Sequence, residues 1–456
     1  MAEFTLTTTP DDIVGTADDD MITGGPGTLQ TEDSILGGGG EDTLVADAEQ
    51  NGAQAPAIED VENIFVDTGG LDFDISNILG ANRIIADTSS TTFTQIGSED
   101  LDYRFGARDV GSGTVTLDFI DGDIGKSIAV KLEAINSNVT FKAPTDKENR
   151  AVKEVDLVLS GDTDPPSVDG DVQVDLSAFN RLETLTLSGD AASKVVIDSK
   201  KIDLIDATET TGGVTVNADI GNSVTVLGGS GDDDFKTGNG GDTIEAGAGD
   251  DVVNAGAGDN DVDLGAGDDT FESEGGNDTV EAGSGDDVIK SGGGDDTIFG
   301  GGGNDVINGE GNEDTIYGGA GNDEIDGGNN DDTLYDGDGD DFVFGGGGND
   351  TLVVGSGNDV LDGGAGADVF DFRTNSDLGD DTVGDSNKFA VGTDEALLLV
   401  GGVAYDISTE AEWRELNQEQ DDLVQVDSGA QQVRVDIDNG GVVTFNLDNA
   451  DFFGMA

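Results

Sequence analysis

From Gly228 to Asp371 the chain repeats a nine-residue unit 16 times in succession, with no insertion to break the register. The unit reads GGxGxDxUx, with U a large apolar residue. Position eight is apolar in every copy, from Phe235, Ile244 and Val253 through Leu352, Leu361 and Phe370. Position six is Asp233, Asp242, Asp251, Asp269, Asp278, Asp287, Asp296, Asp305, Asp314, Asp323, Asp332, Asp341, Asp350, Asp359 and Asp368, interrupted only by Asn260. Each unit parses as a six-residue turn and a three-residue strand. Glycines at positions one, two and four permit positive φ and close backbone approach, and where position four departs it becomes Asn312 or Asn330. In the strand the middle side chain faces one way and its neighbours the other, so the apolar residues stack between two sheets. Two units then make one coil, and the tract makes about eight coils.

Such a core is too thin to fold alone. One apolar side chain per unit cannot offset the ordering of nine backbones at ~1 to 2 kcal/mol each. The tract also holds 38 acidic residues against Lys236 and Lys290, a net charge of −36. Cations held between aspartates and carbonyl oxygens resolve both difficulties, and about 14 divalent ions would supply about +28. All-oxygen ligation with flexible geometry points to Ca2+, at multiple sites, rather than to zinc or copper.

The same slots reappear near the N-terminus as Asp20/Ile22, Asp33/Ile35 and Asp42/Leu44, with a TLQ insertion disturbing their spacing. Between these tracts glycine thins out, and stretches such as GTVTLDF, IAVKLEA and LETLTLS alternate in the manner of β-strands. VENIFV at Val61 matches LETLTL at Leu182, and DISN at Asp74 matches DLSAFN at Asp175, which suggests two related rungs or half-domains. Beyond Asp371 the repeats decay into a mixed segment with one expected helix, TEAEWRELNQEQ around Trp413, before closing strands. The expected fold is all-β: a parallel β-roll over 228–371, an N-terminal repeat tract over 1–54, a β-rich solenoid or sandwich over 55–227, and a small mixed cap over 372–456.

GGGGNDVIN, GGAGNDEID and GGGGNDTLV resemble the RTX family, calcium-binding parallel β-rolls of bacterial proteins exported by type I secretion. The resemblance implies that each position-six Asp ligates calcium, with Asp20, Asp33 and Asp42 as further candidates. Asn260, Glu274, Glu310 and Asn312 depart from the pattern. The ending VVTFNLDNADFFGMA resembles the family's uncleaved secretion signals, and the opening FTLTTTPDDIVGTADDD, with DTLVAD and DVENIFV, resembles RTX-type surface-layer proteins of Gram-negative bacteria. Those resemblances imply a secreted or cell-surface location and two partners, the type I secretion machinery and further copies of the chain.

Charge and composition narrow the function further. A net charge of −80 excludes nucleic acid as a partner. The absence of histidine and cysteine removes Ser-His-Asp and Cys-His catalysis and histidine zinc sites, and neither GxSxG nor a P-loop occurs. No stretch approaches a membrane span, and the N-terminus lacks the features of a cleavable signal peptide. The expected function is therefore a non-enzymatic, calcium-dependent structural protein that assembles outside the cell. A calcium-dependent adhesin or carbohydrate-binding module, and an RTX carrier of an unrecognised carbohydrate-active enzyme, are the alternatives. The basic cluster Lys126, Lys131, Lys142, Lys147, Arg150 and Lys153 offers a place to dock an acidic neighbour or lipopolysaccharide.

Overall fold

Glycine at the turns and alternating apolar residues in the strands give the chain one way to bury its side chains, which is to wind and stack on itself. In the computed structural model it does so as a parallel β-solenoid. The structure describes residues 2–25, 28–30, 33–47, 53–54, 57–67, 72–74, 78–79, 83–86, 91–96, 104–107, 114–119, 127–133, 138–142, 153–160, 172–177, 179–190, 192–197, 199–372, 380–384, 395–400, 403–407, 412, 424–427, 432–436 and 442–446. Among the described residues every multi-residue element is a strand, and Glu412 alone has helical geometry. Of the expected helix, only Glu412 falls among the described residues. The chain divides into two units, 1–236 and 237–456.

From Thr243 to Asp371 in the second unit, strand partners along each sheet are 18 residues apart, so two nonapeptides make a coil as expected. One sheet runs Thr243–Ala248, Asp261–Ala266, Thr279–Ser284, Thr297–Gly302, Thr315–Ala320, Thr333–Asp338, Thr351–Val353 and Val369–Asp371, all parallel. The other runs Val252–Ala257, Thr270–Gly275, Val288–Lys290, Val306–Asn308, Glu324–Asn329, Phe342–Gly347, Val360–Asp362 and Asp380–Val383. Every position-eight side chain from Ile244 to Phe370 is buried.

The repeat unit departs from the expected turn and strand in two details. Most strands have six residues rather than three, extending through positions one to three of the next unit. Because side chains alternate along a strand, position one then faces the same way as position eight. It is a second inward slot, filled by buried Ala246, Ala255, Leu264, Ala282 and Val354 and elsewhere mainly by Gly or Ser. Positive φ accordingly falls at positions two and four, not one: Gly319 has φ +114° and Gly321 +130°. Among the described residues, the non-glycine ones that share this conformation are Glu310 (66°), Asn312 (84°) and Asn330 (80°) at those same two positions, and Asp60 (52°) elsewhere. At Gly321 space is equally decisive, since a Cβ there would lie 1.7 Å from the Gly303 carbonyl oxygen.

The roll ends by changing strand direction. Val442–Asn446 joins Asp380–Val383 in parallel, then takes Gln432–Asp436 as an antiparallel neighbour, which pairs in turn with Val424–Asp427. Glu395–Val400 and Val403–Ile407 form an antiparallel hairpin on the other sheet. Phe372 and Phe445 pack edge to face, 6.2 Å between centroids.

In the first unit the solenoid alternative replaces the sandwich. One parallel sheet runs from Glu3–Thr5 through Met21–Thr23, Thr43–Asp47 and Asn63–Asp67 to Glu154–Ser160, Thr184–Gly189, Leu204–Thr210 and Thr225–Leu227. The matched stretches are rungs of common sheets rather than half-domains. Val61, Ile64 and Val66 are buried on one rung, as are Leu182, Leu185 and Leu187 on another. Asp74 and Asp175 likewise end strands of a second parallel sheet, Asp72–Asp74 and Val172–Asp175. Of the basic cluster, only the Lys153 side chain is among those described, and it pairs with Glu183.

Candidate metal sites

The tight turn between positions four and seven buries the position-six aspartate beneath its own backbone. From Asp242 to Asp368 these side chains are at most 3% exposed. From Asn260 to Asp368 each Oδ1 accepts a hydrogen bond from the backbone N–H of the position-six residue one coil earlier. Asp296 N–H donates to Asp314, Asp314 to Asp332, and Asp332 to Asp350, at 2.8, 2.8 and 2.9 Å. The interval of 18 holds as far as Asp368, and the column then ends with Asp359 N–H donating to Asp381, 22 residues on, at 3.1 Å.

The second oxygen has no such partner. Oδ2 of Asp269, Asp278, Asp287, Asp296, Asp305, Asp314, Asp323, Asp332, Asp341, Asp350 and Asp359 is buried without a hydrogen bond. A buried, half-satisfied carboxylate is costly when ionised. Burial, aided in most cases by neighbouring carboxylates, pushes Asp314 up to about 8, Asp332 to about 7, and Asp269, Asp305, Asp323 and Asp341 to about 6. The N–H bond from the preceding coil offsets only part of each rise. The columns thus present oxygen donors, in low dielectric, whose negative charge is uncompensated by protein. A hard cation fits that donor set.

The remaining candidates differ in a consistent way. Asp20, Asp33 and Asp42 occupy the same place in their coils, accepting on Oδ1 from Ala2, Asp11 and Asp20 N–H at 2.7, 2.8 and 2.7 Å. In Asp20 and Asp33, however, Oδ2 also accepts an N–H of its own turn, from Thr16 at 2.5 Å and Gln30 at 2.7 Å. The Ala2 and Thr16 hydrogen bonds hold the Asp20 carboxyl below its usual range, whereas burial raises Asp42, whose Oδ2 is buried without a hydrogen bond. Asp233 resembles the first pair, accepting from Val214 and Gly229.

Asn260 accepts from Asp242 N–H on Oδ1 at 2.9 Å, leaving Nδ2 buried and unpaired where its neighbours present oxygen. An amide NH2 repels a cation. Replacing Asn260 with Asp is therefore expected to raise the calcium stoichiometry by one ion per chain in calorimetric titration. An unchanged stoichiometry would mean that the column closes without this oxygen.

Two features escape a search for the nonapeptide alone. Asp381 continues the column although it lies 22 residues beyond Asp359, and the preserved DDTV at Asp380–Val383 is the signal that marks it. The second is position five, Asp or Asn in most units. It forms an exposed ladder of opposite sense, in which Asp268 accepts from Asp286 N–H, Asp286 from Asn304, and Asn304 from Asn322, at 2.9, 2.7 and 2.9 Å.

A family model for the RTX calcium-binding nonapeptide repeat, in four copies, matches residues 7–28, 31–51 and, in overlapping and abutting windows, 227–383. Across those stretches the chain is built of RTX calcium-binding nonapeptide repeats, the repeats of the RTX β-roll family. RTX repeats bind Ca2+ at multiple sites, which is the chemistry that the half-satisfied columns call for. No curated protein matches the chain in a sequence comparison, so the RTX repeats and their geometry carry the assignment. Among the described residues no helix is long and apolar enough to cross a membrane.

Proposed function

We propose that this RTX protein is a secreted, non-catalytic structural protein that folds on calcium outside the cell and assembles there with copies of itself. The observation that carries the proposal is the column of buried Oδ2 atoms without hydrogen bonds. Under it, the position-six aspartates from Asp242 to Asp368, Asn260 excepted, ligate calcium, and binding free energy becomes folding free energy. RTX repeat proteins are typically secreted, and a roll that requires calcium stays unfolded wherever calcium is scarce.

Self-assembly is supported by the chemistry of the exposed surface. Position five lines the turns with acidic groups, and Glu245, Asp263 and Glu281 stand in register on the outward face of one sheet. Like surfaces of this charge repel at short range unless cations bridge them. A sugar-binding surface is less well supported. The outward aromatics Phe299, Tyr317 and Tyr335 stack on one another at 4.8 and 4.5 Å, so their ring faces are largely covered by each other rather than offered to a pyranose.

Electron microscopy of the purified chain at millimolar calcium is expected to show sheets or filaments that disperse on chelation. Dispersed particles at every calcium concentration, or calcium-dependent turnover of a polysaccharide or peptide, would overturn the proposal.

A further inference from the structure

Position one of the nonapeptide faces the core, and in 15 of its 16 copies it is Gly, Ala, Ser, Thr, Leu or Val. The exception is Asp336. Its side chain is 1% exposed, at a slot where Gly300, Gly318, Gly327 and Gly345 leave space against the carboxylate of their own unit. A Cβ built at each of those glycines would lie 2.6 Å from the Oδ2 of Asp305, Asp323, Asp332 and Asp350 respectively. Asp336 therefore brings a carboxylate into the immediate neighbourhood of Asp341.

The local arrangement differs from the rest of the roll. Ligand oxygens of Asp336, Asp341 and Asp359 all lie within 4.8 Å of one another, and all three residues are buried. Asp336 Oδ1 accepts from Gly337 N–H at 2.7 Å and Gly355 N–H at 2.5 Å, which fixes the carboxylate between adjacent coils. Asp359 Oδ1 accepts from Asp341 N–H at 3.0 Å. That leaves Oδ2 of Asp336, Asp341 and Asp359, each buried without a hydrogen bond. Elsewhere in the column a coil step brings together two such residues. Here a third carboxylate joins them.

We propose that Asp336, Asp341 and Asp359 form a three-carboxylate calcium site, distinct in composition from the other repeat sites, that binds the most tightly held ion of the roll. The proposal rests on the calcium-binding role of the columns. It follows because calcium affinity rises with the number of charged oxygens in a rigid site, and because three mutually repelling carboxylates gain most from a bound cation. Asp336 is the residue that confers the difference, since Asp341 and Asp359 have counterparts in every other coil.

The test is calorimetric titration of the full chain with calcium chloride against a competing chelator, with circular dichroism recorded on the same samples. The wild type should show one ion per chain bound ahead of the others. In Asp336→Gly, which restores the residue most common at this position in the second half of the tract, that ion should weaken by at least about tenfold and merge with the rest. Asp336→Asn keeps the size and the acceptor for Gly337 and Gly355 but lacks the charge, and should weaken the ion likewise. The β-signal at saturating calcium should be unchanged in both variants. If Asp336→Asn binds calcium as the wild type does, Asp336 is only a backbone clamp and the proposal falls. If the wild type itself shows neither calcium heat nor a calcium-dependent β-signal, the role of the columns fails as well.

Discussion

Stripped of calcium at neutral pH, the roll is expected to lose most of its β-structure, and to regain it near millimolar calcium, the range of extracellular calcium modules at ~10⁻⁴ to 10⁻³ M. The reason lies in the column carboxylates. A carboxylate whose pKa rises from 3.8 to about 6 on folding, as at Asp269, Asp323 or Asp350, opposes folding at pH 7 by about 3 kcal/mol. A few such groups match the whole stability of an ordinary domain, about 5 to 15 kcal/mol. The inward side chains at positions eight and one are too few and too small to oppose them. Circular dichroism with and without chelator measures the effect directly. Native-like β-content in chelator at pH 7 to 8 would show that the columns are tolerated without a cation.

In the same chelator, acidification is expected to restore β-structure, which is the reverse of ordinary acid denaturation. A carboxylate with a raised folded-state pKa favours the fold when protonated. Its contribution is complete below the unfolded value of 3.8 and is lost as pH rises through the folded value, about 6 for Asp305, about 7 for Asp332 and about 8 for Asp314. Metal-free protein should therefore gain β-signal as pH falls from about 8 toward 5, still above the isoelectric point near 4.1. Protons would here substitute for calcium, and calcium affinity should weaken over the same window. A metal-free chain that is no more ordered at pH 5 than at pH 8 would contradict the assignment of these buried groups.

How much of this was legible in the sequence depends on how strictly each residue is constrained. The roll was, because Asp at six and an apolar residue at eight leave few conformations for a nine-residue unit. Asn312 and Asn330 even marked which position needs positive φ. Position one was not legible as an inward slot, because Gly, Ala, Ser and Leu share no polarity, and only the six-residue strands reveal the direction it faces. Asp336 was hidden for the same reason, one more aspartate in an acidic tract until the fold turned it inward. Solenoid could not be told from sandwich over 55–227, because alternation specifies a strand but not its partner. The unequal roles of Asp33 and Asp42 lie in whether a turn N–H reaches Oδ2, a matter of loop path that residue type does not encode.

The opposed hydrogen-bond ladders also govern how such a protein can change its length. A coil in the roll has its position-six N–H held by the coil that follows and its position-five N–H held by the coil before, both at an interval of 18. Excise 18 residues, and the two coils thus brought together meet with the same donors and acceptors as those removed. Excise nine, and every later strand moves to the opposite sheet, Asp380–Val383 and the Val442–Asn446 strand beside it together, so that the whole C-terminal end turns by half a coil about the roll. The quantum of growth or shrinkage that keeps every strand in its own sheet is therefore the coil and not the nonapeptide, and the length of the roll can drift between lineages by whole coils without rebuilding or turning either end.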